Sequence, residues 1–492
     1  MALWTAVPED LPAARRRAAA AFATLAPVLD DLGGRFRAAG HELALVGGPV
    51  RDAFLGRTSP DLDFATSARP EEAEQLLARW SEATWDVGRT FGTIGARKGD
   101  LVVEVTTFRA DAYDGLTRKP KVAFGETLLD DLERRDFTMN AMALRLPEKE
   151  FIDPFDGLAD LMARRLRTPM APERSFTDDP LRMMRAARFA STLAVGVAPE
   201  VEAAMRAMAD RISIVSAERV RDELVKLVLG RSPRAGLELL VGTGLADAVL
   251  PELPALRLEI DEHHRHKDVY QHTLRVLDQA IELEDDHRDP DAVVPGPDFV
   301  LRFAALMHDV GKPATRRFET GGGVSFHHHE LVGAKLTSAR MKALRFDRQS
   351  IKDVARLVEL HLRFHGYGEG EWTDSAVRRY VTDAGPLLER LHRLTRSDST
   401  TRNQAKAERL RRAYDDLERR IQRLSAAEEL AKVRPDLDGN DIMALLGLSP
   451  GRQVGAAYQH MLALRMERGP LPRAAAEAEL RRWWAEQSAA KA

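Results

Sequence analysis

Two aspartates one residue apart, Asp61 and Asp63 in "PDLDFAT", are the first residues whose spacing implies chemistry. On an extended strand alternate residues point the same way, so both carboxylates share a face. Hard oxygen ligands of this kind suit Mg²⁺, which keeps waters and substrate phosphates in its shell. Two such ions can activate an attacking hydroxyl and stabilise a leaving pyrophosphate. Glu104, in "LVVEVTTFR", lies on a neighbouring candidate strand and can supply a third carboxylate. Just upstream is "LVGGPVRDAF". Gly47 and Gly48 have no Cβ and let backbone approach a ligand closely. Residues 50–55 read as a helix start, whose free N–H groups with Arg51 suit a triphosphate. The order of parts, phosphate grip and then metal ligands, is that of a phosphoryl- or nucleotidyl-transfer site.

A second pattern is "DDPLRMMRAARF", in which Asp179, Arg182, Arg185 and Arg188 recur every three residues. On a helix they form one slowly drifting stripe. Aspartate accepts a hydrogen bond from an exocyclic amine, and arginine donates to a ring nitrogen or carbonyl. Cytosine and adenine offer an acceptor beside an amino group, whereas guanine and uracil present the opposite order. One Asp–Arg pair would therefore accept CTP and ATP and refuse GTP and UTP. The same spacing also fits an ordinary surface helix with i,i+3 ion pairs.

"GGPVRD…DLDFAT" resembles the signature of the DNA polymerase β-type nucleotidyltransferases. More narrowly, it resembles the class II tRNA nucleotidyltransferase and bacterial poly(A) polymerase family. Further stretches resemble that family's motifs in order: "DDLERRDFTMNAMA" (sugar and phosphate binding), "FIDPFDGLADL" (a hinge), "DDPLRMMRAARFA" (nucleotide reading) and "SAERVRDELVKLV" (the helix supporting it). The resemblance covers about the first half of the chain. It implies that Asp179 and Arg182 read the base, with Arg185 and Arg188 nearer the phosphates or the helix scaffold. It also implies that Arg135 contacts the triphosphate, with Asn140 helping to position it. Arg134 and Asp136 could equally form a local ion pair. Residues 108–127 read as a mobile loop, and the corresponding loop in related enzymes helps switch the site from C to A.

Downstream, "KDVYQHTLRVL", "ALMHDVGKPAT" and "RLTRSDSTTR" resemble the HD phosphohydrolase superfamily. That resemblance implies a metal set of His272, His308, Asp309 and Asp398, with His329 and His361 as extra ligands in members holding two metals. Imidazole and carboxylate together suit Mn²⁺, Fe²⁺, Ni²⁺ or Mg²⁺, and Lys312 could meet a phosphate. His392 and the histidines flanking the motifs read as core or surface residues.

Bulk properties frame these sites. A chain of 492 residues is too long for one core. With 44% hydrophobic and 30% charged residues it has a globular composition, and at a net charge of −3 any polyanion site must come from local clustering. The absence of cysteine rules out disulfides and thiolate chemistry, leaving His, Asp and Glu as strong metal ligands. No run of about 18 apolar residues suggests a membrane span, and a cytoplasmic location is expected.

Strand character, in "ELALVGG", "LDFAT", "FGTIGAR" and "DLVVEVTTFR", is confined to about residues 42–146, after a first helix over 11–39. Beyond about residue 172 the chain reads as helix after helix. The expected fold is a small α+β head with a mixed sheet, followed by an all-α neck, HD body and tail. The expected segments are 1–40 (helical), 41–170 (catalytic head), 171–255 (neck), 256–425 (HD body) and 426–492 (tail). Arginine clusters at 378–379, 393, 396, 402, 409–412 and 419–423 suit either tRNA phosphates or a salt-bridged helical face, and Arg15 to Arg17 a solvated one. The expected activity is addition of C, C and A to the tRNA 3′ end from CTP and ATP. CC-only, A-only or poly(A) addition, and an HD phosphohydrolase, are the alternatives.

Overall fold

The computed structural model describes residues 10–489 apart from 59–60, 87–91, 109–126, 258–267, 321–323, 365–366, 368–371, 400–403 and 429–433. The chain divides into two compact units, Met1–Pro251 and Glu252–Ala492. The loop expected over 108–127 falls almost wholly outside the described residues, as do His263, His264, His365 and Arg402.

In the first unit, helix α1 (Leu11–Ala38) buries Ala14, Ala18, Ala21, Leu29, Leu32 and Phe36 along one stripe. Its Arg17 does not face solvent as expected: the guanidinium turns in and donates to the Phe54 carbonyl at 3.0 Å. Seven strands follow: β1 (Leu43–Val46), β2 (Asp61–Thr66), β3 (Ala83–Trp85), β4 (Thr93–Lys98), β5 (Leu101–Thr107), β6 (Ala143–Leu146) and β7 (Glu150–Ile152). They form one mixed sheet in the order β3-β4-β5-β2-β1-β6-β7. Only β2 and β5 run parallel, and they lie side by side in the middle of the sheet. The sheet carries the short helices α2 (Gly48–Phe54), α3 (Pro70–Ala78), α4 (Leu128–Glu133) and α5 (Gly157–Met162).

Strands β3, β6 and β7 were not expected. "ALRL" of β6 consists of good helix formers, and its strand state comes from pairing with β1 along its whole length. The helical remainder is α6 (Pro172–Asp178), α7 (Leu181–Leu193), α8 (Pro199–Met208), α9 (Ala217–Val228), α10 (Pro233–Gly242) and α11 (Leu245–Val249). Helix α7 is the spine of this part, packed against α9 and α10.

The second unit is helical: α12 (Val269–Glu282), α13 (Phe299–Met307), α14 (Lys312–Thr315), α15 (His329–Ala343), α16 (Arg348–Leu360), α17 (Asp374–Ala384), α18 (Leu388–Asp398) and α19 (Gln404–Glu428). Asp268, Asp298 and Asp347 cap α12, α13 and α16 by accepting from backbone N–H groups. A two-stranded hairpin, Arg317–Phe318 with Val324–Ser325, interrupts the helices where a loop or hairpin was expected. The last three helices, α20 (Gly439–Leu446), α21 (Arg452–Arg468) and α22 (Arg473–Ala489), close on a core that includes Leu437, Ile442, Met461 and Leu480.

Candidate active site and metal cluster

The pairing of β2 with β5 places Asp63 opposite Glu104 and Asp61 opposite Val102. Leu62, Phe64, Val103 and Val105 are buried on one face, so Asp61, Asp63 and Glu104 share the other. Asp63 meets solvent, yet the protein mass around it partly desolvates it. That desolvation, with the Glu104 and Asp61 carboxylates, lifts its pKa above the usual carboxylate value, and Arg135 works against the lift.

Arg135 ties this face to the Gly-Gly turn. Gly47 has φ +71°, and a Cβ there would lie 2.8 Å from the Arg135 Nη1. Arg135 and Arg134 both donate to Asp131, which is fully buried within α4. Burial alone would raise the Asp131 pKa; the two guanidiniums override it and hold the carboxyl below its usual range. The local pair expected between Arg134 and Asp136 is therefore replaced. Arg134 binds Asp131, and Asp136 binds Arg185 at 2.7 Å.

Arg51 donates to the Asn140 side-chain oxygen at 2.7 Å, and the Asn140 amide donates to Asp136 at 2.9 Å. Asn140 is thus a buried link between Arg51 and Asp136. Arg188 is ion-paired with buried Glu223 of α9 at 2.8 Å. The guanidiniums of Arg51, Arg185 and Arg188 lie 5.4, 5.7 and 4.1 Å from the Phe189 ring centre. Arg185 and Arg188 are both engaged in ion pairs within the protein.

Asp179 ends α6 in extended conformation. One of its carboxylate oxygens accepts from the Leu181 N–H at 3.1 Å, and the other from Arg219 at 2.9 Å. Arg182 donates to the buried Ser175 hydroxyl at 2.8 Å and to the Arg134 carbonyl. A cavity opens among Arg134, Arg135, Asp136, Asp179, Leu181, Arg182, Arg185 and Arg219. Five arginines against two aspartates give it a positive lining suited to a polyanion. In sequence the α9 stretch reads as the helix supporting the nucleotide-reading motif, and Arg219 is not singled out within it. It sits in the first turn of α9, where a cation opposes the helix dipole, and that placement is the signal that could have found it.

In the second unit His272, His308, Asp309, His329, His361 and Asp398 converge from five helices or their ends. His272, His308 and Asp398 form one group of ligand atoms and Asp309, His329 and His361 another, each within 4.8 Å. The Nδ1 atoms of His308, His329 and His361 lie 2.8, 2.8 and 2.7 Å from the carbonyls three residues before them. A ring that donates there turns its Nε2 inward. The Nε2 atoms of His308 and His329 face the Asp309 carboxylate at 3.2 and 3.3 Å, and that of His361 is buried without a hydrogen-bond partner. Such an arrangement fits a divalent cation held by oriented imidazoles and carboxylates.

Burial opposes protonation of His308, but Asp309 and Asp398 lift its pKa to about 10, whereas burial pushes His361 down to about 3. Lys312 donates to Asp309 at 2.9 Å. The second unit's arginines are largely matched with acids or carbonyls: Arg393 with Asp285, Arg396 with Asp415 and Glu418, Arg420 with Asp374, and Arg378 with the Met466 carbonyl.

Residues 43–167 match the family model described as the poly A polymerase head domain. Residues 196–256 match the probable RNA and SrmB-binding site of polymerase A, and 269–414 match the HD domain. An A-adding tRNA nucleotidyltransferase of Deinococcus radiodurans is 35% identical over 430 residues, 86% of this chain and 91% of that one. The chain belongs to the tRNA nucleotidyltransferase family. Within that family, the CCA-adding enzyme of Bacillus subtilis is 42% identical over 217 residues, 44% of this chain and 52% of that enzyme. The fold is shared with the CCA-adding enzyme of Bacillus stearothermophilus in complex with CTP (TM-score 0.62, 24% identity, covering 93% of this chain and 97% of that one). No helix among the described residues is long and apolar enough to cross a membrane.

Proposed function

We propose that this tRNA nucleotidyltransferase adds C, C and A to the tRNA 3′ end, taking CTP and ATP and releasing pyrophosphate. The observation that carries the reading is the position of Arg135. It touches the Gly47 turn, faces Asp63 electrostatically and lines the cavity that holds Asp179 and Arg182. Phosphate grip, carboxylates and base-reading pair thus meet around one cation. The RNA 3′-hydroxyl oxygen would bond to the α-phosphorus while the bond to the β-phosphate oxygen breaks. Asp61 and Asp63 would hold Mg²⁺ ions, which when bound lower the pKa of that hydroxyl and neutralise the phosphates. Glu104, in register with Asp63, would help receive the proton. Arg51 and Arg135 would orient the triphosphate, and Asp179 with Arg182 would read the base edge.

A narrower reading, A addition alone, is favoured by the Deinococcus radiodurans relative that the chain covers almost in full. The HD cluster supports a second activity, metal-dependent phosphoester hydrolysis, with His272, His308, Asp309 and Asp398 holding Mn²⁺, Fe²⁺, Ni²⁺ or Mg²⁺ and His329 and His361 available to a second ion. The test is incorporation of labelled CTP, ATP, GTP or UTP into tRNA lacking its 3′ end, ending in C, or ending in CC. Ordered C, C, A addition that stops, and that vanishes in Asp61→Ala/Asp63→Ala, is expected. Addition of A only to the CC-ended RNA selects the narrower reading. No incorporation into any of these RNAs sinks both and leaves hydrolysis as the activity to pursue.

A further inference from the structure

We infer that Arg17, on the first helix, is a positioning residue for nucleotide binding: it fixes the aim of Arg51 at the triphosphate. The inference rests on the proposed reading that Arg51 orients the triphosphate. Helix α2 carries Arg51 and has only seven residues, too few to hold a helix by themselves. Its place, and its rotation about its own axis, come from what it packs on. The Arg51 guanidinium is held at its tip by the Asn140 side-chain oxygen at 2.7 Å and by Asp52 at 2.9 Å. The far end of α2 is held by α1.

Three observations make that hold specific. The carbonyls of Arg51, Asp52 and Ala53 accept from the backbone N–H groups of Leu55, Arg57 and Gly56. The carbonyl of Phe54 accepts from the Arg17 Nε instead, at 3.0 Å, so a side chain from α1 closes the helix. Gly56 leaves the room that the arginine stem needs: its φ is +72°, and a Cβ there would lie 2.9 Å from the Arg17 Cδ. Phe22, one turn further along α1, meets the Phe54 ring edge to face with centroids 6.5 Å apart. Arg51 and Phe54 are three residues apart, so a slip or rotation of the Phe54 end carries the Arg51 guanidinium with it. Asp179 and Arg182 are tied instead to Ser175, Leu181, Arg219 and the Arg134 carbonyl. The device therefore acts on phosphate affinity and leaves the choice of base alone.

The experiment compares wild type with Arg17→Met, which keeps the stem and removes the donor, and with Arg17→Lys, Arg51→Ala and the double variant Arg17→Met/Arg51→Ala, all in the full chain. Arg16→Ala removes the exposed neighbouring guanidinium as a control. Dissociation constants for inorganic tripolyphosphate, CTP and UTP are measured with Mg²⁺ and without tRNA, alongside the unfolding temperature. Loss of part of a hydrogen bond to a charged group is worth a factor of roughly 3 to 10 in affinity. Arg17→Met is expected to weaken all three ligands by one common factor of that size, leaving the CTP-over-UTP ratio at its wild-type value. Arg17→Lys should recover part of the loss, and Arg16→Ala should match wild type. Where Arg51 is already alanine, Arg17→Met should have no further effect. Wild-type tripolyphosphate affinity in Arg17→Met overturns the inference, as do losses that add in the double variant. Unfolding of both Arg17 variants at the assay temperature also overturns it and makes Arg17 scaffold. A wild type without measurable tripolyphosphate affinity, or an Arg51→Ala variant that keeps it, overturns the triphosphate role of Arg51 itself.

Discussion

At the scale of single residues, this protein separates charges it has neutralised from charges it has left in tension. Asp131 and Asp136 are buried, but each faces guanidiniums and is held below the ordinary carboxylate range. Buried ion pairs of this kind are costly to break and specify geometry more than they add stability. His392 is the opposite case. It is buried and stacked on Tyr380, neither ring nitrogen has a hydrogen-bond partner, and burial pushes its pKa down to about 4. Above pH 6.5 it is neutral in both folded and unfolded chains and has no effect. As pH falls below 6.5 the unfolded chain takes up a proton that the folded one refuses. Stability is lost down to about pH 4, by roughly 3 kcal/mol in all. Urea unfolding at pH 7 and pH 4.5 checks this: His392→Phe should lose stability less steeply with acid than wild type does.

At the scale of elements, the site depends on turns that bring chain close to chain. The turn Thr138–Asn140 carries Asn140, and α5 packs directly on it. A Cβ at Gly157 would lie 2.1 Å from the Thr138 carbonyl oxygen. Below, fully buried Asp160 accepts from the Thr138 hydroxyl and from Arg165 and Arg167. Gly157→Ala must therefore push backbone against backbone. It is expected to cost about 3 kcal/mol, at the upper end of ordinary overpacking, and to lower nucleotide incorporation by shifting Asn140. Denaturant unfolding and the incorporation assay give the two readouts.

The same elements show what a single sequence discloses. Strands β2 and β5 were legible because β-branched and aromatic residues alternate with acids between Gly, Pro and Asp. The order of the sheet was not, because which strand lies beside which depends on the crossover through α3, β3 and β4. The convergence of six HD residues was legible through motif resemblance. The inward aim of their rings was not, since it comes from carbonyls three residues back on each chain segment. Arg219 was passed over because its partner is forty residues away and only packing joins them.

At the scale of the whole molecule, two compact units each carry one constellation of metal-type ligands. The second unit's converging imidazoles and carboxylates make an ion's binding energy available as folding energy. Mn²⁺ at about 100 times its dissociation constant should stabilise the protein by about 2.7 kcal/mol. Differential scanning calorimetry should show a higher unfolding temperature with Mn²⁺, reversed by chelator and absent in Asp309→Ala. An unfolding temperature indifferent to Mn²⁺, Ni²⁺ and Fe²⁺ would count against a metal centre there.

The parallel β2–β5 pair has a consequence in time. Synthesis proceeds at roughly 5–20 residues per second, so the chain grows from Glu104 to Arg135 in roughly 2–6 s and from there to Arg219 in roughly 4–17 s. During the first interval the three carboxylates have been made and the cation that faces Asp63 has not. During the second, the Gly47 turn, the carboxylates and Arg135 exist before the helix that anchors Asp179 has been made. A ribosome that stalls in that second window has made every residue around the Gly47 turn and the carboxylates but not the arginine that binds Asp179.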